Sequence, residues 1–380
     1  MLVKKPPMGW NSWNTFGKDI SEELIMQTAD ALVSTGLADA GYNYLNLDDT
    51  WSNRQGGDRG RIDGKLLAHP EKFPHGMKYL ADYIHGKGLK FGIYSSSGRW
   101  TCMDFAASFN HEFTDAHTFA DWDVDYLKYD FCGLIDGDEE NMNYHRMSLA
   151  LGTVERDILF AACNWGSYDV QNWIRGAGAD AFRICGDITD NFQSVRNQSE
   201  GHFKYSNRAG VGCYIDFDML VVGMDGKGNV SNGGCTDMEY QTHFAVWCMF
   251  ANPLLIGGDI RNMRKEALDI LKNRDLIAID QDEECRNPFN IGGNPEKHQY
   301  ALFRFLADNK FALMFLNYSD EEAMIDADLR LAGLAENSGY EMEMYDTYSH
   351  EPAGRKEGVF SRTLLPHESR VYTMKLVKKA

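Results

Sequence analysis

No apolar run in this 380-residue chain approaches the roughly 20 residues that a bilayer-spanning helix requires. The opening stretch, Met1-Leu-Val-Lys-Lys-Pro-Pro7, carries charge but no apolar segment of the secretory type, so a cytoplasmic location is expected. Basic residues are scarce, 38 Lys+Arg against 56 Asp+Glu, for a net charge of −18. Such a field repels phosphate backbones and anionic lipid, so neither nucleic acid nor a membrane surface is an expected partner. The eight cysteines include no Cys-x-x-Cys pair and no Cys/His group at zinc spacing, which argues against structural zinc. A chain of this length needs no disulfide staples, so most thiols are expected free and buried. Also missing are the Gly-x-Ser-x-Gly elbow, the phosphate-cradling Gly-x-x-x-x-Gly-Lys-Ser/Thr loop and the His-Glu-x-x-His pair. His69, His75, His85 and His111 are scattered and read as surface or satisfied histidines. What remains is a neutral or cationic small-molecule partner. Aromatic residues make up 12% of the chain, and their flat faces suit sugar C–H surfaces as well as cores.

An apolar fraction of 43% and a charged fraction of 25% describe an ordinary globular protein, and the length suggests two domains or a large barrel with an appendage. Strand-like runs at 8–13, 42–47, 89–94, 124–129, 158–163, 181–184, 210–214 and 253–256 alternate with helical stretches at 21–38, 75–85, 112–122, 139–155, 170–176, 189–205, 238–250 and 264–274. Ser21, followed by Glu22 and Glu23, is a helix N-terminal signature, and Gly36 a C-terminal one. Eight β-then-α units predict a (β/α)₈ barrel. The rival doubly wound sheet would want a Gly-rich turn after its first strand if it held a dinucleotide, and Asn14-Thr-Phe-Gly17 is not one. From about 297 onward the pattern changes to short alternating runs at 300–305, 311–318, 323–328, 340–346, 358–364 and 369–375, which predict an antiparallel β-sandwich. The expected domains are a catalytic barrel over 1–285 and a β-domain over 296–380, with Pro288, Gly292, Gly293 and Pro295 marking the linker.

In such a barrel the functional side chains belong at the C-terminal ends of the strands. Polar residues gather there: Asp48 and Asp49, Tyr94 with serines 95–97, Lys128 and Asp130, Asn164, Arg183 and Asp187, and Asp216 and Asp218. Lys128 and Asp130 are two apart, so on a strand they face the same way, and the lysine would hold a nucleophilic carboxylate ionised. The bland alternative is a core ion pair. Asp187 reads as a second carboxyl whose surroundings keep a proton, or else as an N-cap for a helix near Thr189. Asp48 and Asp49 read as hydroxyl acceptors or metal ligands, though neighbours on a strand point opposite ways unless the chain turns. Trp10, Trp13, Trp51 and Trp165 are either core or a ring platform at the barrel mouth. Two carboxylates acting on a neutral substrate without metal or organic cofactor describe glycoside hydrolysis.

The motifs Pro7-Met-Gly-Trp-Asn-Ser-Trp13, Leu47-Asp-Asp-Thr-Trp51, Lys90-Phe-Gly-Ile-Tyr94, Leu127-Lys-Tyr-Asp130, Arg183 with Gly186-Asp187, Asp216-Phe-Asp-Met-Leu220 and Ala251-Asn-Pro-Leu-Leu-Ile-Gly-Gly-Asp259 occur in that order. Together they resemble glycoside hydrolase family 27, the family of α-galactosidases and α-N-acetylgalactosaminidases, over about residues 1 to 285. The resemblance implies Asp130 as nucleophile and Asp187 as general acid/base. It places Asp48 and Asp49 on the galactose 4- and 6-hydroxyls, Lys128 beside the nucleophile, and Trp13, Tyr94, Arg183 and Asp218 elsewhere in the pocket. It also implies a Cys102–Cys132 disulfide next to the site, and no cofactor or metal. The implied reaction is retaining hydrolysis of terminal α-galactosides, for which the two carboxyl groups stand about 5–5.5 Å apart.

One departure bears on specificity. Where galactosidases of the family commonly carry Cys-Glu-Trp, this chain has Cys163-Asn164-Trp165-Gly166-Ser167. Asn164 can hydrogen-bond a sugar but brings no charge, and with Ser167 it could open space for a 2-acetamido group. The retained Asp48 favours a sugar with a 6-hydroxyl. The expected activity is therefore that of an α-galactosidase, with α-N-acetylgalactosaminidase or a non-catalytic galactose-binding protein as alternatives. A homo-oligomer stays open.

Overall fold

A computed structural model describes residues 3–55, 60–135 and 140–379. Met1, Leu2 and Glu139, the first residue of one predicted helix, lie outside it. Strands β1 (Met8–Asn11), β2 (Tyr44–Asn46), β3 (Lys90–Ser96), β4 (Tyr126–Asp130), β5 (Leu159–Cys163), β6 (Ala181–Arg183), β7 (Tyr214–Asp216) and β8 (Leu254–Ile256) form one parallel sheet. Their order is β7-β6-β5-β4-β3-β2-β1-β8. The ring closes just beyond β7. There Leu220 pairs with Ile256, and the Leu220 N–H donates to the Leu255 carbonyl at 2.8 Å.

Alternation along each strand builds the barrel. Tyr44, Tyr126, Leu159, Ala161, Ala181 and Leu255 point inward and form one interior cluster. Leu45, Leu127, Tyr129, Phe160 and Phe182 point outward into the layer shared with the helices. Helix Glu22–Ser34 begins at Ser21, whose hydroxyl accepts from the Leu24 N–H at 3.2 Å. It stops at Thr35, short of the predicted 38, because Gly36 adopts φ +77° and starts a separate turn, Leu37–Ala40. Two other expectations fail locally. Residues 170–176 do not form an α-helix; the segment holds a 3-10 turn, Ser167–Asn172, in which Tyr168 and Asp169 have positive φ. Residues 210–214 form a tight turn, where Gly210 and Cys213 exchange backbone hydrogen bonds around Gly212 at φ +80°, so β7 begins only at Tyr214.

The C-terminal part forms β9 (Phe289–Asn290), β10 (Gln299–Phe305), β11 (Lys310–Asn317), β12 (Ala323–Asp328), β13 (Tyr340–Asp346), β14 (Glu351–Lys356), β15 (Val359–Leu364) and β16 (Ser369–Lys378). A six-stranded sheet in the order β14-β13-β16-β11-β10-β9 faces the pair β12-β15. Sequence reading misses β14 because Glu-Pro-Ala-Gly-Arg-Lys lacks an apolar alternation, and it survives as a polar edge strand. Ala301, Phe303, Leu313, Phe315, Tyr372 and Met374 fill the space between these sheets. Leu302, Ala312, Met314, Leu316 and Val371, on the other face of the large sheet, belong to the same core as the barrel helices. No helix among the described residues is long and apolar enough to cross a membrane.

Candidate active site

At the C-terminal mouth of the barrel the strand ends deliver polar side chains into one narrow cavity of about 400 Å³, counting its open entrance. Its walls include Trp13, Asp48, Asp49, Tyr94, Cys102, Lys128, Asp130, Arg183, Asp187 and Asp218, all singled out from the sequence. The spacing of Lys128 and Asp130 works as expected, both pointing inward from β4, but the pairing differs. The Lys128 ammonium donates to Asp48 Oδ2 at 2.7 Å and stands 4.0 Å from Asp130 Oδ2. Burial works against its charge, yet Asp48 and Asp130 outweigh that and hold it protonated. Asp130 accepts from the Phe131 N–H at 2.8 Å. Its burial raises the carboxyl above the usual range, and Lys128 only partly offsets this. The lysine therefore moderates a cost of burial and does not by itself guarantee an ionised nucleophile.

Asp48 and Asp49 lie beyond the end of β2, where Thr50 takes φ +72°, and the turn lets both carboxylates line the cavity. Asp48 also accepts from Asn11 Nδ2 at 2.9 Å. Asp49 Oδ2 accepts from the Met103 N–H at 2.9 Å and Oδ1 from the Thr50 N–H at 2.6 Å, but burial dominates and lifts it to about 6. Met103 is placed there by the Cys102–Cys132 disulfide, which ties the loop after β3 to the end of β4. The remaining six cysteines are free, five of them buried. Tyr94, wholly buried on β3, donates to Cys102 Sγ at 3.4 Å and lies 5.3 Å beneath the Lys128 ammonium. Serines 95–97 serve the scaffold instead: Ser95 bonds Ser108, and Ser96 donates to the Cys132 carbonyl.

Arg183, on β6, organises the opposite wall. Its Nη2 lies 2.8 Å from Asp187 Oδ1 and 2.7 Å from Asp218 Oδ2. Asp218 sits at φ +80°, is fixed by the Ile188 N–H at 2.7 Å, and is lifted by burial to about 6 despite Arg183. Asp187 stands at the rim, its side chain 68% exposed. Desolvation pushes it up, but the Arg183 guanidinium, helped by Lys128, more than reverses this and leaves it below the usual carboxylate range. The Arg183 guanidinium, four residues away and within reach, thus works against the proton that sequence reading expects on Asp187. Asp187 is not a helix cap either: helix Phe192–Glu200 is capped by Asn191.

Asn164 and Ser167 do not join the cavity wall. Asn164 is fully buried, its Nδ2 donates to the Ser167 carbonyl at 2.9 Å, and its Oδ1 finds no partner among the described residues. In their place Trp165 lines the cavity, with Asn14 and Met219, which sequence reading had not assigned to the site. Asn14 could have been suspected from its place directly after the Trp-Asn-Ser-Trp stretch at the end of the first strand. Of the four tryptophans, Trp10 and Trp51 are core residues, donating to the Gly258 and Tyr94 carbonyls, whereas Trp13 and Trp165 reach the cavity.

Comparison with known proteins agrees with this architecture. A family model described as Alpha galactosidase A matches residues 5–282. The chain is 38% identical to an α-galactosidase of Cyamopsis tetragonoloba, over 98% of this chain and 87% of that protein. It superimposes on α-galactosidase I from Mortierella vinacea with a TM-score of 0.89 at 30% identity, covering 100% and 99% of the two chains. On the Saccharomyces cerevisiae α-galactosidase with raffinose the TM-score is 0.87 at 25% identity, over 98% of each chain. A family match over most of the barrel, full-length relatives and a shared fold leave one assignment: the chain belongs to the alpha galactosidase A family, glycoside hydrolase family 27.

Proposed function

We propose that the protein is a retaining exo-α-galactosidase that releases terminal α-galactose from oligosaccharides or glycoconjugates. The observation that carries this reading is a pair of carboxyls, Asp130 and Asp187, in one cavity whose walls also carry groups that hydrogen-bond a neutral polyol. Lys128, Asp48 and Asp49 offer charged donors and acceptors for sugar hydroxyls, and charge-assisted hydrogen bonds of this kind are the strong ones. The curated relative and the two solved structures above, all called α-galactosidases, support galactose as the sugar.

In the first step a carboxylate oxygen of Asp130 attacks the anomeric carbon as the glycosidic C–O bond breaks. The departing oxygen takes the proton of Asp187, leaving a galactosyl ester on Asp130 and a free aglycone. Asp187, now a carboxylate, removes a proton from water, whose oxygen attacks the same carbon. The ester bond breaks, Asp130 regains its charge, and galactose leaves with its configuration retained. Asp187 needs a proton at the start and its contact with Arg183 opposes this, while Asp218 offers the same guanidinium a second carboxylate.

Hydrolysis of 4-nitrophenyl α-galactoside is the test, run beside the corresponding N-acetylgalactosaminide. Expected are preference for the galactoside, α-galactose as the first product by NMR, and loss of roughly 10³-fold or more in Asp130→Asn. Absence of turnover on both substrates by the unaltered protein would return the galactose-binding alternative.

A further inference from the structure

Asp216 ends β7, in register with Arg183 on β6, and is not one of the residues that wall the cavity. The chemistry above leaves it without a task. Its Oδ1 accepts from the Asp218 N–H at 2.8 Å, closing an Asx turn over Phe217. Asp218 sits in that turn at φ +80°, a conformation that a residue with a Cβ keeps only under constraint. The rest of the turn is pinned as well. The Phe217 N–H donates to Asn252 Oδ1 and the Trp247 indole to the Asp218 carbonyl, both at 2.7 Å. The Asp216 carbonyl accepts from the Ile184 N–H at 3.1 Å, which ties the turn to the residue after Arg183. What the turn aims is the Asp218 carboxyl. Its Oδ2 accepts from the Ile188 N–H at 2.7 Å and meets Arg183 Nη2 at 2.7 Å. The same Nη2 donates to the Gly186 carbonyl at 2.7 Å. Gly186 and Ile188, the two neighbours of Asp187, are therefore gripped by the Arg183–Asp218 pair.

We infer that Asp216 is a positioning residue for the acid/base: through its turn it sets the Asp218 carboxyl, which with Arg183 holds the backbone on both sides of Asp187. The inference rests on the hydrolase reading above. Asp187 stands exposed at the rim, so its place opposite the leaving oxygen depends on its backbone more than on packing around its side chain. Loss of the Asp216 acceptor frees the Asp218 N–H, and the strained residue can then relax away from both Ile188 and Arg183. The role needs an acceptor and not a charge, and a neutral amide oxygen accepts as well. Burial in fact raises the Asp216 carboxyl, and Arg183, the Asp218 N–H and Lys128 pull against it.

The test compares two galactosyl donors that differ in their need for an acid. Melibiose is cleaved with protonation of its glycosidic oxygen, whereas fluoride leaves α-galactosyl fluoride without a proton. The readout is the ratio of kcat/KM on melibiose to kcat/KM on the fluoride, in which a change in galactose binding common to both cancels. In Asp216→Ala, which has no acceptor, this ratio should fall by between about tenfold and a hundredfold, the scale of a misplaced catalytic group. Asp216→Asn keeps the acceptor and should stay within about twofold of the unaltered protein. Asp216→Ser accepts more weakly and should fall between the two. An unchanged ratio in Asp216→Ala, whatever its stability, would make Asp216 part of the scaffold and overturn the inference. A ratio in Asp216→Asn as low as in the alanine variant would place the effect in the charge and overturn it too. If Asp216→Ala does not fold, the other two variants carry the test, and equal ratios in Asp216→Ser and Asp216→Asn would overturn the inference. Inactivity of the unaltered protein on the fluoride would instead overturn the hydrolase reading, and the inference with it.

Discussion

Asp49 shows how one buried carboxyl ties stability to pH. Burial lifts it to about 6, so its folded form binds a proton more tightly than its unfolded form. The sign follows from that. Its contribution is fully present below the ordinary Asp range near 4 and is lost as pH rises through about 6, a change on the order of 3 kcal/mol. Asp49→Asn has no charge to bury. Its melting temperature relative to the natural protein should therefore climb between pH 4.5 and 7.5, while galactose binding weakens throughout. Calorimetry across that range checks it, and a constant offset would contradict the assignment. Asp187 makes a different prediction. If it protonates the leaving oxygen, Asp187→Asn should lose on the order of 10³-fold in kcat/KM on melibiose. With 4-nitrophenol as leaving group, which departs without a proton, the first step should suffer far less. Stopped-flow release of nitrophenol distinguishes the two. A carboxylate flanking an arginine was readable from positions 183 and 187, but the sign of the effect was not. It required knowing that the guanidinium reaches Asp187 at 2.8 Å and Asp218 from another strand end at 2.7 Å.

At the scale of elements, the loops after the strands hold the site as firmly as the strands do. Gly166 sits at φ +80° against the Ile184 carbonyl, and alanine there meets both backbone strain and a contact of 2.2 Å. Gly166→Ala should cost about 1–3 kcal/mol in denaturant unfolding, and kcat/KM should fall as Trp165, which lines the cavity, shifts with its loop. The Cys102–Cys132 bond positions the Met103 N–H on Asp49. Reduction by dithiothreitol should weaken inhibition by galactose more than it lowers the melting temperature. Strand and helix periodicity exposed most of these elements directly. The misreadings fell where turn chemistry overrides apolar content, at the Gly210–Cys213 turn and the 3-10 turn Ser167–Asn172.

Across the whole molecule, the barrel and the β-sheets share a core. Leu302, Met314, Leu316 and Val371 pack with the barrel helices, and Arg304, fully buried on β10, donates to the Cys248 and Met249 carbonyls at 3.1 Å. Those carbonyls end helix Asp237–Met249, where a cation is favourable. Removing Arg304 strands the Met249 carbonyl in the interior, leaves the Cys248 carbonyl only the Ala251 N–H, and opens a cavity. Arg304→Ala should therefore cost about 3–5 kcal/mol, read as a lower melting temperature of a single transition. The division at 285 and 296 then marks where one pattern gives way to another, and we propose that it is not a boundary of independent folding. A chain ended at 285 should be insoluble or molten by near-ultraviolet circular dichroism, since the apolar face that meets Leu302 and Met314 would lie bare.

The order of β and α units, the alternation of the C-terminal strands and the clustering of carboxylates after the strands were all determined by the sequence itself. These depend on periods of two and 3.6 residues and on local turn residues, which any stretch of chain carries without its partners. Only the tertiary structure decided that Lys128 serves Asp48 more closely than Asp130, that Asn164 turns into its own loop while Trp165 takes the wall, and that the two parts share one core. Lys128 and Asp48 stand 80 residues apart in the chain, and burial and distance set the charge of the lysine. Neither quantity exists until the barrel has closed.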